Sequence, residues 1–459
     1  MNNPGETCHP ISKTTQAGAV INRRKQFRLS SFLAIATIVS LQIERGNCQE
    51  TKATRLDNGF LQLESVHLRL ITDLPVSAAI KELPQAFDQA VRQWSTRFAI
   101  DVERTQKAKV TAYVMHDRAR FVQLGLMPKD VVNFRYGYQF EDTLYVTDQP
   151  SDYYRRHLLL HEGTHWFMWK YLGGNGPPWY SEGWSELLGT HQWFEQKLVL
   201  GVIPTSREGF DYWGRIKVIK DALKNDTAPS LSEVFRFSDT AHRSDDPYAW
   251  SWAAMLFFQN HPNHSQTLID IAKPPLDYSD KISKELRSKL EATWPVLEAE
   301  WRIFISELDY GFSPVHSLTI LSEPSQPMRD GKATRTIRAD RGWQSTGIQV
   351  VLGQEIRFAA QGQMVVKKLD RNAATTVWTS EPQGITLEYQ NGQPLGRLLA
   401  AVIPIQKIDD EQPARRLTAQ PIGRAATWTS TDSGLLLLKI NEQSSGLADN
   451  SGAFTVTIE

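Results

Sequence analysis

The chain is poor in cysteine, in net charge and in long apolar runs, and each shortage excludes something. Only Cys8 and Cys48 occur among 459 residues, which rules out a disulfide framework or a cysteine-based zinc site. Fifty-one Lys and Arg balance 51 Asp and Glu, so no global field draws the protein toward nucleic acid or an anionic membrane, and no nucleic-acid partner is expected. No internal repeat or low-complexity tract is present. With 41% hydrophobic and 22% charged residues, the composition is that of a folded protein rather than a disordered, collagen-like or coiled-coil chain.

The one uncharged, mostly apolar run, Leu29 to Ile43, is short for a bilayer span and follows Arg23, Arg24, Lys25 and Arg28. With the small residues Gly46 and Cys48 ahead of Gln49, residues 1–48 read as a secretory signal cleaved near Cys48, with an uncleaved anchor helix as the alternative. Export to the periplasm or beyond the cell follows, with no stable membrane span after cleavage and no cysteine in the mature chain.

Hydrophobic periodicity divides the remainder. Val66, Leu68 and Leu70 alternate as a strand, and Leu83, Phe87, Val91, Trp94 and Phe98 recur at helical spacing. Strands over 110–115 and 144–146 complete an α/β part at 52–150. A helical part spans 151–311: Ser151 caps a helix through Lys170, Gly173-Gly174-Asn175-Gly176-Pro177-Pro178 stops it, and a second opens near Ser181. Further helices are predicted over Trp250–Gln259 and, as one long element, Ile282–Leu308. After a Ser- and Pro-rich linker at 312–333, short alternating strands and glycine turns over 334–459 predict a β-sandwich. The fold class is multidomain α+β.

The chemistry concentrates at His161-Glu162-Gly163-Thr164-His165. Histidines four apart on a helix share a face, so both can reach one Zn²⁺, and the carboxylate beside them is placed to take a proton from water. A catalytic zinc needs a third protein ligand and an open position. Glu182 follows just past the glycine-proline loop, which lets the second helix fold back on the first; Glu186, one turn on, can orient a histidine. A third histidine six residues after His165 is excluded because Tyr171 stands there.

These residues, followed by Trp179-Tyr180-Ser181-Glu182-Gly183-Trp184-Ser185-Glu186, resemble the gluzincin metallopeptidases of the peptidase-MA-like clan. By that resemblance His161, His165 and Glu182 bind zinc, Glu162 is the general base and Glu186 supports a histidine. The strand around Leu144–Thr147 would be the edge that pairs with an extended peptide. The family's oxyanion-stabilising Tyr or His is matched to Tyr248, with His242 in reserve, although Tyr248 also reads as a packing tyrosine. His157 and His191 are expected not to ligate, since a fourth ligand would close the open position. His157 reads instead as solvent-exposed or as a supporting contact. The aromatic series Trp166, Phe167, Trp169, Trp179, Trp184 and Trp193 is expected in the core rather than lining a cleft.

In the C-terminal part, Gly342-Trp343-Gln344-Ser345-Thr346-Gly347-Ile348, Glu381-Pro382-Gln383-Gly384, Pro394-Leu395-Gly396 and Asp449-Asn450-Ser451-Gly452-Ala453-Phe454 resemble the LecA-like galactophilic-lectin sandwich. The resemblance implies Ca²⁺ held by Glu442, the Gly446 carbonyl, Asp449 and Asn450, and a glycan partner. Glu442 replaces the family's aspartate, the sugar-contacting histidine segment has no counterpart, and Asp449-Asn450-Ser451-Gly452 also reads as a plain turn. The expectation is therefore an exported zinc metallopeptidase acting on a peptide or protein, with the sandwich as an accessory. Its rivals are a non-catalytic surface or glycan binder and a metal-dependent amidase acting on cell-wall or glycoprotein material.

Overall fold

The computed structural model describes residues 52–128, 131, 134–238, 240, 244–321, 331–371, 374–405 and 414–459. The segment expected to be a signal, with both cysteines, His242 and positions 322–330 of the expected linker lie outside the described residues. The architecture is mixed α+β, and none of the described helices is long and apolar enough to cross a membrane.

The first layer is a six-stranded sheet formed by β1 (Lys52–Arg55), β2 (Leu61–Glu64), β3 (Leu68–Thr72), β4 (Val110–Met115), β5 (Gly137–Phe140) and β6 (Thr143–Thr147), in the order β1-β2-β3-β4-β6-β5. β3, β4 and β6 are parallel and the other pairs antiparallel. Helix α1 (Ala78–Arg97) makes the β3-to-β4 crossover, and Ser77 Oγ caps it by accepting from Ile80 N at 3.3 Å. Short helices α2 (Val102–Thr105) and α3 (Arg118–Gln123) fill the connections. The edge strand is β5, not β6, which is paired on both sides. This corrects the expectation for Leu144–Thr147: the half-buried β5 lacks the apolar alternation that marks a strand in sequence.

Helix α4 (Asp152–Leu172) packs under this sheet, capped by Ser151 and ended by Gly173 at φ 79°. Helix α5 (Pro178–Gly189) starts on its proline and leads into the hairpin β7 (His191–Phe194) and β8 (Lys197–Leu200). Gln89 and Gln93 of α1 each accept from and donate to the backbone of the 196–200 segment, as a neighbouring strand would. Next come α6 (Arg215–Lys224), α7 (Leu231–Phe235), α8 (Asp246–Asn260), α9 (Ser265–Ile271), α10 (Lys281–Lys289) and α11 (Trp294–Glu307). The single helix expected over 282–308 is broken by a 3₁₀ turn at Glu291–Thr293. Pro295 in the first turn of α11 lacks an N–H and would clash with the carbonyl of Glu291 in a continuous helix.

Residues 314–317 of the expected linker form a short helix, α12 (Pro314–Ser317), tied to the sandwich by Ser313 N donating to Ser444 Oγ at 2.9 Å and by a Ser317–Ser444 hydroxyl contact. One sandwich sheet runs β10 (Gln344–Val350), β19 (Gly434–Ile440), β16 (Leu398–Ile403), β17 (Gln420–Pro421). The other runs β13 (Ala374–Ser380), β12 (Met364–Arg371), β20 (Ser451–Ile458), β11 (Glu355–Gln361), β18 (Ala425–Thr429), with β9 (Ala333–Arg338) also on β20, and β14 (Ile385–Gln390) and β15 (Gln393–Leu395) pair as a separate hairpin. Strand alternation gives β16 and β19 two buried faces. Leu398, Ala400, Val402, Leu436, Leu438 and Ile440 fill the sandwich core, whereas Leu399, Ala401, Ile403, Leu435 and Leu437 pack on Ala299 and Ile303 of α11.

Lys439 lies on that second face and is buried against Glu307 at 2.6 Å, while Trp343 Nε1 donates to the other Glu307 oxygen at 2.8 Å. Lys439→Met leaves the half-buried Glu307 carboxylate without its cation and is expected to cost about 2 kcal/mol in denaturant unfolding, with Glu307→Gln in the same chain recovering part of it. Residues 334–459 produced alone expose the Leu399, Leu435 and Leu437 face. They are expected to self-associate in light scattering; a stable monomer would show that α11 is dispensable.

Candidate metal centre

Residues 154–168 of α4 are all buried, an environment that dictates the chemistry of every polar group on it. Gly163 allows this enclosure: a Cβ there would come within 2.6 Å of both Phe87 and Trp94 of α1. On the opposite face His161 and His165 point toward α5, which is held close to α8 where Gly183 meets the Ser251 carbonyl. Glu182 and Glu186, one turn apart on α5, face the two histidines.

Three atoms converge. His161 Nε2 and His165 Nε2 are 3.2 Å apart, and Glu182 Oε2 lies 3.2 Å from the first and 3.4 Å from the second. A tetrahedral zinc with bonds of roughly 2.1 Å separates its ligands by about 3.4 Å. On the far side of each ring, His165 Nδ1 is 3.0 Å from Ser181 Oγ, and His161 Nδ1 is 3.3 Å from Glu186 Oε1, in contact though out of line for a full hydrogen bond. With both Nδ1 atoms protonated, the two Nε2 lone pairs and a carboxylate oxygen meet without a proton between them. Glu182 Oε2 is buried with no in-line donor. Burial opposes charge on His161, yet Glu182 and Glu186 outweigh it and push its pKa to about 10. Burial likewise opposes ionisation of Glu182, but His165 and His161 hold it well below the usual carboxylate range. The cluster demands positive charge, and its nitrogen and oxygen donors fit a divalent cation such as zinc.

Glu162 is buried beside this cluster. Burial raises its pKa and the two histidines partly offset the rise. It faces the edge strand: a Cβ on Gly137 of β5 would collide with Glu162 Oε1. Tyr248, in the first turn of α8, has its ring centroid 6.0 Å from that of His161. Burial, reinforced by Glu182, Glu162 and Glu186, raises its hydroxyl pKa, so it stays protonated.

The motif does not reveal Arg215. Its Nε and Nη2 donate to Glu186 Oε2 and Oε1, each at 2.8 Å, and its Cζ lies 5.5 Å from the Tyr248 ring centroid. Burial would raise the pKa of Glu186, but Arg215 and His157 reverse it and hold the carboxyl well below its ordinary value. Arg215 heads α6, distant in sequence, so only the fold brings it in. Ser181 was legible as the residue before Glu182, though its contact with His165 was not.

The remaining expected residues divide. His157 is fully buried, not solvent-exposed, between Tyr153 and Tyr154, with Nε2 3.6 Å from Glu186 Oε1. His191 is buried on Arg156 Nε at 2.8 Å and the Gly189 carbonyl at 2.8 Å, away from the cluster. Trp166, Phe167, Trp179 and Trp184 are core residues, and Trp169 and Trp193 are half-buried against it. A second trio, His261, His264 and Glu300, satisfies itself: His261 Nδ1 accepts from Asn263 N, leaving Nε2–H to donate to Glu300 at 2.9 Å.

In the sandwich, Glu442 and Asn450 are buried together. Asn450 Nδ2 donates to Glu442 Oε2 at 2.7 Å, and Gly446 leaves room for Oε1, which a Cβ would strike. Asp449 Oδ2 instead accepts from Lys368 N at 2.7 Å. Burial, with Asp449 adding to it, pushes the Glu442 carboxyl up to about 8.

No family model matches the sequence, and no curated protein matches it. Among solved structures, the chain is similar to "EclA N-terminal domain; PllA-like lectin" at 21% identity, over 28% of this chain and 98% of that chain, with a TM-score of 0.20. A superposition at that score assigns neither fold nor function.

Arg215→Met removes both bonds to a buried carboxylate. The variant is expected to lose about 3 kcal/mol of stability and to bind zinc about 10–100-fold more weakly in chelator competition. Unchanged zinc affinity would separate Glu186 from the metal centre.

Proposed function

We propose that the protein is a zinc-dependent metallopeptidase. The carrying observation is the trio of donors 3.2–3.4 Å apart with a buried, proton-hungry carboxylate at their side. His161, His165 and Glu182 would hold the metal. When bound, zinc supplies a Lewis acid for a scissile carbonyl and for water. The chain's own residues supply the rest. Arg215 fixes Glu186, which keeps the His161 ring oriented, while Ser181 does the same for His165.

Glu162 is the group that takes a proton from attacking water and returns it to the leaving amine. Its raised pKa makes it a better acceptor than an exposed carboxylate and leaves it able to give the proton back. Protonated Tyr248, its ring centroid 6.0 Å from that of His161, would be the donor to the developing oxyanion. The free side of β5 offers backbone groups to an extended peptide, and Gly137 leaves room for Glu162.

The buried Glu442 and Asn450 support a second, independent reading, that the sandwich holds calcium and through it a glycan; Asp449's engagement with Lys368 counts against a complete ligand set. Added calcium raising the melting temperature in wild type but not in Glu442→Gln would support it. An unmoved melting curve would remove it.

Elemental analysis of the chain is expected to give about one zinc, lost in His161→Ala. Glu162→Gln is expected to keep the metal while peptide hydrolysis falls about 10²–10⁴-fold. Full activity in that variant would exclude Glu162 as the base, and a zinc-free wild type after incubation with the metal would end the peptidase reading.

A further inference from the structure

Outside the donor trio, three histidines of the described residues are all but fully enclosed: His157, His191 and His261. Two of them are satisfied on both ring nitrogens, His191 by Arg156 Nε and the Gly189 carbonyl, His261 by Asn263 N and Glu300. His157 is the exception, with no in-line hydrogen-bond partner on Nδ1 or on Nε2. A buried polar atom left without a bond costs about 1–3 kcal/mol, which an apolar side chain of similar size would not.

What His157 faces is the support of the metal centre. It stands one turn before His161 on the same face of α4, and its Nε2 is 3.6 Å from Glu186 Oε1. That oxygen is also 3.3 Å from His161 Nδ1 and 2.8 Å from Arg215 Nη2, while Arg215 Nε holds the other oxygen at 2.8 Å. A carboxylate oxygen offers two lone pairs. Arg215 takes one of those on Oε1 in line, and the other is left between the two imidazoles.

The His157 ring is confined on both sides. It lies parallel to Tyr154, at 7° with centroids 5.3 Å apart, and the Tyr154 hydroxyl is hydrogen-bonded to Arg215. Against its other edge stands Gly189, where a Cβ would come within 3.0 Å of Cε1 and 3.2 Å of Nδ1. Glu186, held ionised by Arg215, only accepts, so the tautomer that suits it carries the proton on Nε2.

We propose that His157 is a positioning residue of the metal centre: its Nε2–H keeps Glu186 Oε1 turned toward α4, where that oxygen orients the His161 ring. Without it the only in-line donors left to Glu186 belong to Arg215, and the carboxylate is free to follow the guanidinium away from His161. This deepens the peptidase reading and rests on its metal site; His157 acts through Glu186 and is not itself a ligand.

The test sets zinc affinity against stability in the full chain. His157→Leu removes both ring nitrogens and is expected to weaken zinc binding about tenfold in chelator competition, the low end for a group that supports a ligand. The melting temperature of the metal-stripped variant is expected to stay level or rise, since two unsatisfied buried atoms are gone. His157→Gln, whose amide nitrogen reaches about as far as Nε2, is expected to restore most of the affinity, and His157→Asn, whose amide nitrogen stands near the place of Nδ1, is not. Wild-type affinity in His157→Leu, or affinity and melting temperature that fall together with no rescue by Gln, would overturn the proposal. So would zinc lost outright in His157→Leu but kept in His165→Ala, which would place the metal among His157, His161 and Glu186. A wild type that takes up no zinc would end the metal site and this role with it, whereas the expected pattern in a protein that cleaves no peptide would remove only the peptidase reading.

Discussion

Buried charge that must be balanced is the constraint on which this structure turns. Two carboxylates, two imidazoles and a guanidinium sit within one layer of side chains between α4, α5 and α6, none with free access to water. Removing such groups from water is costly unless each finds a partner of opposite charge at hydrogen-bonding distance. Arg215 meets that need for Glu186 with a bidentate pair. Around Glu182 the protein offers two histidines that also face each other, and a divalent cation held between the three would complete the set. The contrast with His261 and Glu300 sharpens the point, because that equally buried pair is closed by its own proton and by Leu321 N donating to Glu300 Oε1 at 2.6 Å.

The same constraint explains the packing. For α4 to be enclosed on every side, α1 must press on Gly163 and α5 must approach through Gly183. The enclosure keeps the local dielectric low, which raises the Glu162 pKa and makes the Glu186–Arg215 pair strong. Precision in the donor positions thus comes from helix packing rather than from the motif alone.

The sandwich is coupled to the helical part through a comparable device. Leu399, Leu435 and Leu437 cover α11, and within that apolar contact Lys439 and Glu307 form a pair completed by the Trp343 indole. Backbone links at Ala414 N to Ala228 O and Leu417 N to Ser306 Oγ extend the contact. β16 and β19 therefore read in sequence as continuous apolar runs rather than alternating ones. This arrangement differs from an accessory module on a free tether.

What the sequence by itself determined was local. The spacing of His161 and His165 placed them on one helix face, Ser151 and Gly173 marked the ends of α4, and the run from Leu435 to Ile440 read as a strand, because caps, turns and period depend on neighbours a few residues away. The position of Glu182 was legible for the same reason, with a glycine-proline stop and one helical turn between it and Glu186. Only the tertiary structure decided that Arg215 anchors Glu186, that β5 rather than β6 is the open edge, and that His157 is buried beside Glu186 rather than exposed. Each of those depends on segments distant in sequence meeting across a buried interface. No periodicity, cap or motif encodes such a meeting, since it is fixed by the joint packing of several helices and a sheet.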